Sequence, residues 1–235
     1  MKITIIFDNY PHNPELKTAW GFSCLIEGLE ETILFDTGGD GGILLKNMEM
    51  LKIDPEKIDG IVISHDHWDH TGGLQNFLEK KSNVDVYMLP SFSNGVKDIV
   101  RSNGAHLIEN HTAEKLCSHI HTSGTLGTTT KEQSLIIETQ KGLVIITGCA
   151  HPGIVNIIES VQKRFNQEIN MVFGGFHLGG HTDSDLKNII AQFRRLKVVN
   201  AGPCHCSGDR CQELFVNEYK DNFLNIGVGK IIQIE

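Results

Sequence analysis

The sequence predicts a layered α/β fold, and three observations carry that reading. First, short apolar runs of strand length alternate with amphipathic stretches of helical period through all 235 residues. Second, one unit recurs: an apolar strand ends in a glycine-containing loop bearing histidine, and a helix follows. It occurs at residues 65–70 and again around His151, His177 and His205. In layered α/β folds ligands gather where strand ends meet loops, so these loops can converge on one edge and build one site. Third, 40% hydrophobic and 21% charged residues describe an ordinary globular chain. A chain of this length can bury one large core, and we expect one domain over residues 1–235.

The elements follow in order. Residues 3–7, 22–27 and 32–35 read as strands. Asn9, Pro11 and Pro14 mark a loop after the first, and Gly28 with Glu30 and Glu31 a hairpin turn after the second. The glycines at 38, 39, 41 and 42 break the sheet before a helix whose turns are marked by Ile43, Leu44, Asn47 and Leu51. Asp54-Pro55 opens a helical turn, and residues 58–63 form the strand that delivers the histidine loop. Leu74, Phe77 and Leu78 give a helical stripe, residues 84–89 a strand, 91–101 a helix and 105–108 a strand. The Thr- and Gly-rich stretch 111–131 has no assignable period. Residues 134–138 and 143–147 form a hairpin, and Ile154, Ile157, Ile158 and Val161 face inward from a helix. A strand at 171–173, a helix at 183–196, a short apolar run at 198–201, a helix from Asp209 and a strand at 230–234 complete the chain.

The chemistry concentrates in residues 61–73. His65, Asp66, His67, Asp69 and His70 crowd six positions between an apolar run and Gly72-Gly73. Neutral imidazole and carboxylate are the usual ligands of a zinc-type ion, and no folding requirement explains so many polar groups at a buried strand end.

The pattern His65-x-His67-x-Asp69-His70, with Asp36 upstream and the loops Gly148-Cys149-Ala150-His151 and Cys204-His205-Cys206 downstream, resembles the metallo-β-lactamase-fold hydrolase superfamily. The resemblance runs over nearly the whole chain. The loops around His151, His177 and His205 look like the subgroup named dihydropterin aminobenzene-phosphate synthase-like. It implies a four-layer αββα sandwich, two mixed sheets with helices outside, the halves meeting near residues 109–131. It also implies two divalent ions, with zinc expected and manganese, iron or magnesium as alternatives. His65, His67 and His151 would hold the first; Asp69, His70 and His205 the second; Asp36 would steady the histidine loop from behind. The sequence departs from the pattern at one place. Where the superfamily's fourth motif offers a bridging aspartate, the loop Gly174-Gly175-Phe176-His177 offers histidine. His177 then either binds the second ion or faces substrate, and the second ion is expected to be the more weakly held.

The implied chemistry is hydrolysis of an ester, phosphoester, lactone or amide of a small anionic substrate by metal-bound hydroxide, with Asp69 and His177 as catalytic groups. The alternatives are a synthase joining a dihydropterin to an aminobenzene ribose phosphate, a diiron redox protein, and a non-catalytic metal-binding module. Histidine at position 67 disfavours the diiron form. His181, His12 and Trp20 are candidate substrate contacts. Cys204, Cys206 and Cys211 read as packing groups, and Cys149 as a small buried residue. Asp183 and Asp185 read as helix-start residues, Trp68 as packing, and His119 with His121 as surface strand. A net charge of −8 disfavours a nucleic-acid surface. No run is long enough to span a bilayer, and the six cysteines are spread too widely for a secreted scaffold. We therefore expect a cytoplasmic enzyme with a small-molecule partner and no nucleic-acid or membrane partner; the oligomeric state is not legible.

Overall fold

The computed structural model describes residues 1–234. Its first half contributes strands β1 (Lys2–Phe7), β2 (Ser23–Glu27), β3 (Ile33–Phe35), β4 (Gly60–Val62), β5 (Asp85–Met88) and β6 (His106–Glu109). The second half contributes β7 (Lys115–Cys117), β8 (Ile120–Thr122), β9 (Leu135–Thr139), β10 (Gly142–Thr147), β11 (Ile169–Gly175), β12 (Asn200–Cys204) and the closing β13 (Ile231–Gln233). They pair into two mixed sheets, ordered β13-β1-β2-β3-β4-β5-β6 and β12-β11-β10-β9-β8-β7. The strand that ends the chain thus returns to pair with the strand that opens it.

Three apolar layers alternate with the sheets. Ile3, Ile5, Phe35 and Val62 of the first sheet meet Leu135, Val144, Ile146 and Phe173 of the second, and all are buried. Outside the first sheet lie α1 (Gly41–Met50), a single helical turn α2 (Trp68–Thr71), α3 (Leu74–Leu78) and α4 (Asn94–Ser102). Leu44, Met48, Phe77 and Val100 pack from these helices onto Leu34, Ile61 and Val86. Outside the second sheet lie α5 (Ile154–Phe165), α6 (Asp183–Arg195) and α7 (Asp209–Tyr219), packed on Ile145 and Val172. The result is the expected αββα sandwich.

Direction and register place the site. Strands β3 to β6 run parallel, as do β10 to β12. Phe35 pairs with Val62, Thr147 with Gly174, and Gly175 with Cys204, so neighbouring strands end level. The carboxyl ends of both parallel sets are where Asp36, His65, His151, His177 and His205 emerge.

The unassigned stretch 111–131 holds β7 and β8, each of three residues. Elements that short show no countable alternation. His121 is half-buried in β8 with Nε2 2.6 Å from Glu138 Oε1, so it is paired within the sheet. Trp68 corrects another expectation: it is 64% exposed, because it starts α2 on the outer side of the loop.

The aromatic rings of Phe176, Phe193 and Phe215 lie 5.2–5.9 Å apart and tie α6 and α7 to the strand end that carries His177. Phe193→Ala is expected to cost about 3–5 kcal/mol through lost burial and a residual cavity. Denaturant unfolding of the variant measures it; a loss below about 1 kcal/mol would contradict this packing.

Candidate metal centre

The two expected ligand groups are each brought together. The rings of His65 and His67 lie 4.6 Å apart, His65 and His151 4.6 Å, and His67 and His151 4.8 Å between centroids. In the second group Asp69 Oδ2 is 3.7 Å from His70 Nε2 and 3.2 Å from His205 Nε2. His65 and His70, ring to ring at 4.2 Å, join the two groups. Local structure explains the division. His65 lies in the bend after β4 and His67 on extended chain, whereas Asp69 and His70 sit on the helical turn α2, which turns their side chains to a different place.

Each ring is oriented from behind. Asp36 Oδ1 accepts the Ser64 N–H at 2.7 Å, and Oδ2 accepts both the Ser64 hydroxyl and His70 Nδ1 at 2.7 Å. The Ser64 hydroxyl spends its proton on Asp36, so it accepts from His65 Nδ1 at 2.8 Å. Asn9 Oδ1 accepts from His205 Nδ1 at 2.9 Å. Glu132, wholly buried, accepts from His151 Nδ1 at 2.9 Å and from the N–H groups of Cys149, Ala150 and His151. Fixing Nδ1–H leaves Nε2 as a bare lone pair on His65, His70, His151 and His205.

The electrostatics favour neutral rings at the heart of the site. Burial and the neighbouring His70 push His65 down to about 3, and burial and His205 push His70 down to about 3. Burial raises Asp36 to about 7, against the opposing pull of His65 and Ser64. Burial also opposes charge on Glu132, but His151, His65 and the backbone donors outweigh it and hold the carboxyl well below its usual range. Asp69 is likewise held low, burial being overcome by His205 and His70.

A metal centre fits these residues. His205 Nε2 is buried without a well-aligned hydrogen bond, its one near neighbour being Asp69 Oδ2 at 3.2 Å, and His65 Nε2 faces His67 Nδ1 at 3.1 Å. A buried polar atom without a partner costs about 1–3 kcal/mol, a penalty that coordination would remove. The backbone is also strained here. Asp36, Ala150, His177 and His205 all have φ between 50° and 59°, although none is glycine. Such conformations cost roughly 1–3 kcal/mol each and cluster at functional sites.

The remaining candidates divide. His177 is exposed, its ring 4.4 Å from that of His151. A hydrogen bond donated to the Cys206 sulfur raises its pKa, against some burial. Trp20 lies against His205 with the rings tilted by 56° and their centroids 4.9 Å apart. His181 lines a cavity of about 270 Å³ together with His151 and His177. A second cavity, about 510 Å³, opens between His151, His177 and the loop Thr128, Thr129 and Thr130. His12 is exposed and held through its backbone to Val228, so it is not among the residues gathered here. Asp185 closes a capping box with Thr182, and Asp183 pairs with Arg210. Cys204 and Cys211 are buried in different apolar layers, which leaves Cys206 alone of that motif facing the site.

Sequence reasoning missed Glu132, Ser64, Asn9 and the reach of Cys149. Ser64 and Asn9 each lie within two residues of a strand end, as Asp36, His177 and His205 do, and that was the available signal. Glu132 lies between the aperiodic stretch and the following strand and had none.

A family model described as the metallo-beta-lactamase superfamily matches residues 21–187. A 7,8-dihydropterin-6-methyl-4-(beta-D-ribofuranosyl)-aminobenzene-5'-phosphate synthase of Methanocaldococcus jannaschii is 28% identical, the alignment covering 99% of this chain and 96% of the relative. An uncharacterised protein of the same organism is 30% identical over 99% of this chain and 100% of its own. The crystal structure of Tm1679, a metal-dependent hydrolase of the beta-lactamase superfamily, superposes with TM-score 0.84 at 27% identity, covering 100% of this chain and 99% of the other.

Glu132→Gln keeps the shape of the side chain but removes the charge behind His151. Metal affinity is expected to fall about 10–100-fold, as it does when outer partners of ligating histidines are changed. Titration of the metal-free protein with zinc measures this; an unchanged affinity would show that Glu132 only braces the loop.

Proposed function

The chain belongs to the metallo-β-lactamase superfamily, and from that membership we propose that it is a metal-dependent hydrolase of a small anionic ester, phosphoester, lactone or amide. The observation that carries the reading is the pair of converging donor groups, in which His65, His70, His151 and His205 turn Nε2 inward because Nδ1 of each is held from behind. His65, His67 and His151 would hold one ion, and Asp69, His70 and His205 the other. Imidazole with a carboxylate suits zinc. Bound there, two such ions would supply Lewis acidity and lower the pKa of water to about 7.

The protein groups do the rest. Asp69, held ionised, orients the attacking water and accepts its proton. His177, exposed beside His151 and raised by Cys206, presents a ring N–H to the leaving group. The cavity of about 510 Å³ is of small-molecule size, and its wall of Thr128, Thr129 and Thr130 offers hydroxyl donors without a fixed charge. Positive charge for an anionic substrate would then come from the ions, consistent with a chain of net charge −8.

A synthase joining a dihydropterin to an aminobenzene ribose phosphate is the second reading, favoured by the full-length likeness to the archaeal enzyme of that name. The two readings part in one assay. Metal-loaded protein is offered phosphodiester, ester and lactone probes, and separately a dihydropterin donor with the aminobenzene ribose phosphate. Hydrolysis of a probe, abolished by chelation, supports the hydrolase; coupled product without probe hydrolysis overturns it.

Asp69→Asn and His177→Ala are each expected to lower kcat by about 10²–10⁴-fold, the usual worth of a positioned proton-transfer group. Steady-state kinetics on the responsive probe checks this, and full activity in either variant removes that residue from the mechanism. With histidine in place of a bridging carboxylate, the ion at Asp69, His70 and His205 is expected to leave first under mild chelation. Equal retention of both ions by elemental analysis would contradict that order.

A further inference from the structure

The two donor groups are not independent. Cys149 Sγ lies within 4.8 Å of the ligand atoms of Asp69, His70 and His205, and also within 4.8 Å of those of His65 and His151. It is 3.2 Å from His70 Nε2. A third group joins the same sulfur to His177 and Cys206. No other side chain is common to all three groups among the described residues.

The loop is built to hold that sulfur inward. A Cβ on Gly148 would meet Ser64 Oγ at 2.1 Å and Asp36 Oδ2 at 3.0 Å, so only glycine lets the strand end press against the support of His65 and His70. A Cβ on Gly175 would meet Gly148 O at 2.2 Å and Cys206 Sγ at 2.8 Å. Glu132 Oε1 fixes the Cys149 N–H at 2.9 Å, and Ala150 turns the chain away with φ 59°. Beside the sulfur, the buried Nε2 of His205 makes no well-aligned hydrogen bond, with Asp69 Oδ2 at 3.2 Å.

We propose that Cys149 is a metal ligand shared by both positions, its thiolate sulfur supplying the anionic bridge that His177 cannot. Unlike neutral imidazole, a thiolate has lone pairs and charge enough to serve two cations, and a coordinated thiol gives up its proton outright. Cys206, with Sγ 3.7 Å from the Cys149 carbonyl oxygen, and His177 close the outer side of the same sulfur. The ligand class at this centre is thereby mixed, nitrogen and oxygen with one sulfur, which selects zinc and other thiophilic ions over magnesium. The inference rests on the proposed metal centre and deepens it.

X-ray absorption at the zinc edge tests it on the reduced wild-type protein loaded with zinc alone. A sulfur neighbour at about 2.3 Å is expected beside nitrogen and oxygen neighbours at about 2.0–2.2 Å. Cys206→Ser should keep the sulfur signal and Cys149→Ser should lose it, with a fall in zinc affinity of about tenfold or more. Stoichiometric zinc with nitrogen and oxygen neighbours only would overturn the inference and leave the metal centre standing. A sulfur signal lost in Cys206→Ser would also overturn it. Failure of the wild type to bind zinc would overturn both. If Cys149→Ser does not fold, Cys206→Ser decides the case, because Cys24, Cys117, Cys204 and Cys211 are buried in the apolar layers.

Discussion

Polar atoms packed where water does not reach must be satisfied by the protein or by something it binds, and everything else at this centre follows from that constraint. His65, His70 and His205 are almost entirely shielded, and the back of each ring is paired with Ser64, Asp36 or Asn9. Their front nitrogens turn into the site, where His70 meets the Cys149 sulfur at 3.2 Å and His205 meets Asp69 Oδ2 at 3.2 Å. Burying groups this way costs about 1–3 kcal/mol for each unsatisfied atom, which a domain of ordinary stability, roughly 5–15 kcal/mol, would not keep without compensation. Burial also lowers the proton affinity of His65 and His70, so these rings stay neutral and available as ligands.

The sandwich exists to bring such groups to one edge. Parallel β3 and β4 end level in one sheet, and parallel β10, β11 and β12 end level in the other. The loops leaving those ends therefore meet across the apolar layer between the sheets. Strain is concentrated in the same loops: four of the left-handed non-glycine residues are Asp36, Ala150, His177 and His205. The three apolar layers, with Phe35, Phe173 and Phe193 wholly buried, hold that conformation in place.

Much of this was legible in the chain. The strands of residues 2–7 and 142–147 and the helix of residues 154–165 announce themselves by long apolar periods, and the histidine loop by its density of ligand-type side chains. What was not legible depends on three-dimensional meeting. Glu132 precedes His151 by 19 positions, across a hairpin and just past the stretch without period, yet it carries four hydrogen bonds to the histidine-bearing loop. Cys149 reads as a small buried residue, and it is buried; only the closeness of three loops reveals that its sulfur lies within 4.8 Å of ligand atoms from each of them. His12 failed for the opposite reason. A histidine in an N-terminal loop can line a pocket mouth, but its backbone is bonded to Val228 and the side chain stays at the surface.

Crystallography of the zinc-loaded protein with anomalous diffraction at the zinc edge addresses the central claim most directly. Two anomalous peaks are expected, about 3.5–4 Å apart, one amid His65, His67 and His151 and the other amid Asp69, His70 and His205. A single peak, or density lying outside these residues, would contradict a two-ion centre.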